Sequence, residues 1–268
     1  ANFYKRINMP QAAGMYYFSN GEDNWSRPAA IFIHGAGGNH LYWPPEIRRL
    51  AGQRIYALDL PGHGKSTGIG RQSITDYAQC VLDFMDEIKL RKAVFIGHSM
   101  GGGIALELAL NASRRTLGIG LIASAAQLRV SPALLENASS PATFMLAIQA
   151  INDYAFSPHA DARLKEISIQ RMAEVRSSVL HGDFLACDAF NVVPRIGRIK
   201  TPALIVCGTD DKMTPLHFSQ LMQGKIKNSL LHTVDGAGHM VMLENPPIVA
   251  SVLKLFLDGI DYQPGSPY

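Results

Sequence analysis

The sequence has little cysteine. Its three thiols, Cys80, Cys187 and Cys207, stand far apart, are odd in number and fall in no CxxC spacing. That excludes a disulfide framework or a zinc-ribbon ligand set and fits reduced thiols in a cytoplasmic protein. Long apolar runs are missing, so no membrane-spanning segment is expected. The first residues lack a basic segment followed by an apolar stretch, so no secretory signal is expected either. Charge of one sign is also scarce. Lys plus Arg number 25 and Asp plus Glu 22, for a net charge of +3. The short basic spots (Arg48-Arg49, residues 89–92, Arg114-Arg115) lie beside polar or acidic residues. They read as solvated helix faces, and no nucleic-acid partner is expected. No internal repeat is visible.

What is present is a recurring short apolar run bounded by turn residues. Residues 29–33 ("AAIFI") form a continuous apolar segment, as expected for a strand buried on both faces. Residues 54–58, 93–96, 117–122, 203–207 and 230–234 read the same way. Residues 3–7 and 15–18 flank Pro10 and Gly14 and predict an antiparallel pair. Helical patterns fall between the strands. Ile74, Tyr77, Ala78, Val81, Leu82, Met85 and Ile88 make a 3.6-residue stripe. Residues 101–111 and 246–256 also predict helices. Strands alternating with helices imply an α/β fold with a mostly parallel sheet. The rhythm breaks between 125 and 200. That segment offers only helical stretches, notably 141–151 and 162–180, and predicts a helical insertion lying over the sheet. The tail, 262–268, predicts little order.

One serine stands in "FIGHSMGGG". Gly97-His98-Ser99-Met100-Gly101 matches G-x-S-x-G, after a strand and before a helix. A serine on such a turn projects from the sheet edge at the positive end of a helix. Its hydroxyl is a poor nucleophile unless a base takes the proton. Of the nine histidines, His239 is the candidate base. It follows the last strand in "DGAGHM", where two glycines let the loop turn back over the sheet edge. His98 adjoins the serine and points elsewhere if Ser99 points into a site. His232 lies inside an apolar strand. The base needs an acceptor on its other nitrogen. After residues 117–122 comes "ASAAQ", with no carboxylate; after 203–207 come Asp210 and Asp211. Asp211 sits deeper in that loop and is favoured, with Asp210 as the competitor. Two N–H donors would face a developing oxyanion. One is Met100, just after the serine. The other is Ala36, in the glycine-rich turn of residues 34–38 ("HGAGG"). That turn is no dinucleotide fingerprint, because His40 stands where the third glycine should be. "GKS" at 64–66 is no P-loop, because Asp59 stands at the required earlier glycine.

In this order, Ser99, Asp211 and His239 resemble the nucleophile–acid–base order of the α/β-hydrolase superfamily. "FIHGAGG", "ALDLPGHGKS", "IGHSMGGGIA", "ALIVCGTDDKMTP" and "GAGHMVMLENP" look like five of its motifs in sequence. The resemblance covers nearly the whole chain and is strongest to small esterases. It implies eight strands with the second antiparallel. It also implies a core of residues 1–124 and 201–268, and a helical cap of residues 125–200. In the family the acid stands four residues before a proline, which is Asp211. The implied activity is carboxylic-ester hydrolysis on a small molecule, with no metal or organic cofactor. Phe144, Met145, Ile148 and Phe156 are candidates to line an apolar acyl pocket. Thioesters, lactones and vinylogous diketones are the alternative substrates. Met240 stands where carbon–carbon hydrolases often have tryptophan. The non-enzymatic alternative is a ligand receptor on the same fold. Oligomeric state is not encoded in any feature above.

Overall fold

The computed structural model describes residues 10–263. It opens with β1 (Gln11–Ala12), β2 (Met15–Asn20), β3 (Ala29–Ile33), α1 (Pro45–Arg48), β4 (Arg54–Leu58) and α2 (Ile74–Glu87). Then come β5 (Ala93–His98), α3 (Met100–Asn111) and β6 (Thr116–Ile122). Four helices follow without a strand: α4 (Pro132–Ser139), α5 (Phe144–Ala155), α6 (Ala162–Ala173) and α7 (Ser177–Asp188). The chain closes with β7 (Ala203–Gly208), α8 (Leu216–Lys225), β8 (Ser229–Val234), α9 (Val241–Glu244) and α10 (Pro246–Asp258).

The eight strands form one sheet in the order β1-β2-β4-β3-β5-β6-β7-β8. β2 runs antiparallel to both its neighbours, and the remaining pairings are parallel. The central strands are apolar throughout because both their faces are covered. Ile31, Ile33 and Phe95 pack on the side of α2 and α3. Ala30, Phe32, Val94 and Ile96 pack on the opposite side, with residues of α1, α10 and the helical insertion. Each of these isoleucine, valine and phenylalanine side chains, fully removed from water, contributes about 1.5–3 kcal/mol. Trp43 is wholly buried and meets the edge of Phe32, with ring centroids 5.0 Å apart.

Three sequence expectations change. The partner of β2 within the described residues is Gln11–Ala12; residues 3–7 lie outside them, as does the tail beyond 263. The stretch 162–180 is two helices, parted at Glu174–Val175–Arg176, where Arg176 is extended at φ −65° and ψ 137°. Neither proline nor glycine marks that break; the buried Val175 and Val179 take the chain inward through it. The helix expected over 141–151 runs instead over Phe144–Ala155, because residues 141–143 turn before it. No helix among the described residues is long and apolar enough to cross a membrane.

The insertion is fastened to the sheet by a buried carboxylate. Asp183, on α7, is fully buried. It accepts from the Gly37 N–H and from His63 Nε2, both at 2.8 Å, and from the Tyr77 hydroxyl. His63 Nδ1 faces the Pro61 carbonyl, so both ring nitrogens meet acceptors and the ring is an imidazolium. Burial opposes that charge, but Asp183 outweighs it and raises the His63 pKa. Removing one partner of such a pair leaves the other charge buried and uncompensated. Asp183→Ala is therefore expected to cost about 3–5 kcal/mol of stability, read as a lower urea midpoint. A loss below about 1 kcal/mol would show that the pair is not holding the insertion.

Candidate active site

Ser99 caps α3 with φ 50° and ψ −115°, a backbone region that non-glycine residues rarely occupy. The packing around it enforces this strain. A Cβ on Gly97 would lie 2.0 Å from the Gly101 carbonyl oxygen, and one on Gly101 would lie 2.2 Å from that of Ile33. The strand and helix thus approach with no room for a side chain at either position. The Ser99 N–H donates to the Ile122 carbonyl, and Ser124 Oγ donates to the Ser99 carbonyl. The serine hydroxyl lines a pocket between the sheet edge and the insertion.

His239 and Asp211 meet at the same edge. His239 Nδ1 lies 3.0 Å from Asp211 Oδ2 and 3.2 Å from Oδ1. A carboxylate only accepts, so Nδ1 carries a proton, and in the neutral ring the free lone pair is on Nε2. Asp211 also accepts from the N–H groups of Met213 and Thr214 and from the Thr214 hydroxyl. Burial raises the carboxyl pKa; His239 and the Thr214 donors outweigh it and hold the group below the usual carboxylate range. Asp210 has no such role. Its backbone N–H donates to the Ala237 carbonyl, and its side chain is half-buried. His239 lines the Ser99 pocket, though no hydrogen bond joins the two among the described residues. Such bonds commonly tighten only when substrate binds.

His98 sits behind His239, with ring centroids 4.9 Å apart, and its Nε2 donates to the His239 carbonyl. Its Nδ1 is buried without a partner, so the ring is neutral. Burial, with the nearby His239 adding to it, lowers its pKa to about 3. Burial, aided by His63, likewise lowers the pKa of His34 to about 4. His34 Nε2 accepts from the Leu60 N–H, and its Nδ1 donates to the Gly35 carbonyl. In the turn of residues 35–38 the Gly37 N–H goes to Asp183 and the Gly38 N–H to the Gly35 carbonyl. The Ala36 and Met100 N–H groups have no acceptor among the described residues.

The sequence model of the alpha/beta hydrolase family matches residues 30–252. The chain belongs to this family. It is 27% identical over 247 residues to 3-oxoadipate enol-lactonase 1 of Acinetobacter baylyi, covering 90% of this chain and 92% of that one. It is 28% identical over 246 residues to a 2-hydroxy-6-oxononadienedioate/2-hydroxy-6-oxononatrienedioate hydrolase of Comamonas testosteroni, covering 81% and 83%. Among solved structures it resembles a thermophilic esterase at 29% identity, with a TM-score of 0.80 over 92% of this chain and 94% of that one. This hydrolase therefore shares its family and fold with enzymes whose names carry several hydrolytic specificities.

Sequence reasoning placed the pocket of this hydrolase imperfectly. Of Phe144, Met145, Ile148 and Phe156, only Ile148 lines it. Helical periodicity turns Met145 to the outside, where it is 45% exposed. Phe144 lies on the inward stripe of α5 but at its far end, and Phe156 lies past its other end; both are packed in the core. The pocket wall is instead drawn from Ile151, Met172, Phe184, Met213 and Phe218. Tyr42, Asn152 and Ser168 also reach it, with no motif to announce them. "ALDLPGHGKS" was legible only as a signature. In the structure Asp59 accepts from the His40 N–H at 2.7 Å, His40 Nδ1 at 2.8 Å and the Lys65 N–H at 2.9 Å, bracing the chain beyond the 35–38 turn.

The fixed histidine states give this hydrolase an acid-sensitive site. The native pKa values of His34 and His98 lie below the ordinary 6.5, so below pH 6.5 the unfolded chain binds two protons that the native state refuses. Stability then falls as pH is lowered, by up to about 1.4 kcal/mol per pH unit per histidine. His63 has the opposite sign: its stabilisation is complete below 6.5 and is lost as pH rises through its raised native pKa. Urea unfolding at pH 7, 6 and 5 should show midpoints decreasing toward pH 5. Equal midpoints at pH 7 and 5 would refute the neutral buried states.

Proposed function

We propose that this hydrolase cleaves carboxylic esters of small molecules through an acyl-enzyme, with Ser99 as nucleophile, His239 as base and Asp211 as the acid that orients it. The observation that carries this reading is the Asp211–His239 contact opening onto the pocket that holds Ser99 on its strained turn. Ser99 Oγ attacks the carbonyl carbon as His239 Nε2 takes its proton. The carbonyl oxygen becomes an oxyanion and accepts from the Ala36 and Met100 N–H groups. The C–O bond to the alcohol breaks, and the imidazolium returns its proton to the leaving oxygen. Water then attacks the acyl-enzyme, giving its proton to His239, and Ser99 recovers it as the acid leaves. Asp211 stays ionised and stabilises each imidazolium. Residues 125–200 serve as a cap that shapes the pocket above this edge.

The same steps open a lactone, and the resemblance to an enol-lactonase supports testing lactones alongside esters. The deciding measurement is turnover across p-nitrophenyl acetate and butyrate, matched thioesters and simple lactones, with stoichiometric labelling by a serine-directed organophosphate. Ester turnover with one label per chain is the expected result. A chain that takes no label and hydrolyses none of these substrates would be a binder and not an esterase.

A further inference from the structure

The pocket above Ser99 is walled largely by apolar side chains, yet uncharged polar groups also reach it, among them three from separate elements outside the triad and its Thr214 support. Tyr42 comes from the 3-10 turn His40–Tyr42, Asn152 from α5 and Ser168 from α6. They are 3%, 8% and 7% exposed. Tyr42 Oη and Asn152 Oδ1 are buried and have no hydrogen-bond partner among the described residues. The Ser168 hydroxyl approaches the Tyr42 phenol without normal hydrogen-bond geometry and acts to lower its pKa, but burial dominates and pushes it up to about 12, so that it stays neutral. A buried polar atom without a partner costs about 1–3 kcal/mol. Of the other orphaned atoms, Trp43 Nε1 and Ser219 Oγ belong to residues away from the pocket, and His98 Nδ1 belongs to a lining residue behind His239; Tyr42 and Asn152 line it farther from the triad. A bound hydroxyl there could accept from Tyr42 Oη and donate to Asn152 Oδ1, and a bound ketone could accept from Tyr42 Oη, whereas an all-hydrocarbon chain could pair with neither.

The chemistry of the wall narrows that oxygen. Its lining residues include no carboxylate. The one cation among them, Arg129, is exposed, and its guanidinium would meet the Gln127 side-chain oxygen at 3.0 and 3.2 Å with that amide turned over. Amide, phenol and alcohol groups can each donate to an uncharged oxygen, and none carries a charge to offset an anion. We infer that Tyr42, Asn152 and Ser168 form a specificity subsite that recognises a hydroxyl or ketone oxygen carried by the substrate away from its scissile carbonyl. This rests on the ester-hydrolysis reading and narrows its substrates from plain alkyl esters to oxygenated ones.

The test begins with wild-type enzyme and p-nitrophenyl acetate. No turnover there defeats the hydrolytic reading itself. With turnover established, kcat/KM is compared for p-nitrophenyl hexanoate against its 4-oxo and 5-oxo analogues, and for hexyl acetate against 4-oxohexyl and 5-oxohexyl acetate. At least one oxygenated member is expected to be preferred by about tenfold or more, because sites built to hydrogen-bond an oxygen reject analogues lacking it. Asn152→Leu and Tyr42→Phe should each bring that ratio toward one. The ratio is independent of how much of a variant is folded, and Tyr42→Phe keeps the ring in place. A wild-type ratio near one for every pair, or a preference that survives both variants, overturns the subsite. So does a stronger preference for the hexanedioate monoester that Arg129→Gln abolishes, which would make the recognised group an anion.

Discussion

Ser99→Ala is expected to lower kcat for p-nitrophenyl butyrate by about 10⁵–10⁶-fold while leaving the fold intact. The size follows from how the residues act together. Without the hydroxyl no acyl-enzyme forms, and His239 and Asp211 have nothing to activate except water. The fold should survive because the side chain is not what holds the turn. The main-chain contacts of Ser99 with Ile122 and Ser124 remain, and alanine meets φ 50° with a strain similar to that of serine. Steady-state rates on purified variant, with a thermal midpoint close to wild type, check both halves. Retention of more than a few per cent of wild-type kcat by a folded variant would remove Ser99 from the chemistry.

Asp211→Asn should cost about 10⁴-fold in kcat, and Asp210→Asn little. The hydrogen bonds around Asp211 explain why an uncharged isostere fails. The N–H groups of Met213 and Thr214 both point at Oδ1, so an asparagine would seat its carbonyl oxygen there. Its NH₂ would then face His239 and force Nδ1 to accept. The ring proton would move to Nε2, the nitrogen that has to take a proton from Ser99. Asp210 makes no comparable contact through its side chain. Parallel kinetics on the two variants would discriminate between the aspartates, and a larger loss in Asp210→Asn would reverse the assignment.

How much of this was readable in the chain depended on whether a residue acts locally or across the fold. "AAIFI" announces a strand because burial on both faces removes the need for polar residues. G-x-S-x-G announces a turn because glycines are the only residues that fit where strand and helix touch. Asp211 could be preferred over Asp210 by loop depth, and the family resemblance, through its spacing from a proline, implied the same residue. By contrast, Asp183 lies mid-helix in "HGDFLAC", and its partners Gly37, His63 and Tyr77 are more than a hundred residues away. No periodicity reports such a pairing. The pocket failed for a related reason. Phe144 and Phe156 are large and apolar, so the core claimed them, while the pocket took the smaller polar Asn152 and Ser168. The break between α6 and α7 carried no composition signal at all.

Glu244 has a consequence for how such enzymes can be recombined. Its two carboxylate oxygens accept from the Gly238 N–H and the Ser157 N–H, and the Met240 N–H donates to the Ala155 carbonyl. The loop bearing His239 is thus stitched to the end of α5. Asp183 stitches α7 to the turn bearing Ala36 in the same way. A chimera that imported residues 132–188 from a relative would exchange more than the substrate chamber. It would also replace the supports under both flanks of the reaction centre. Donor helices would transplant activity only if they brought a carboxylate to position 183 and kept the backbone path at 155–157. Selectivity in this scaffold is therefore not a detachable module.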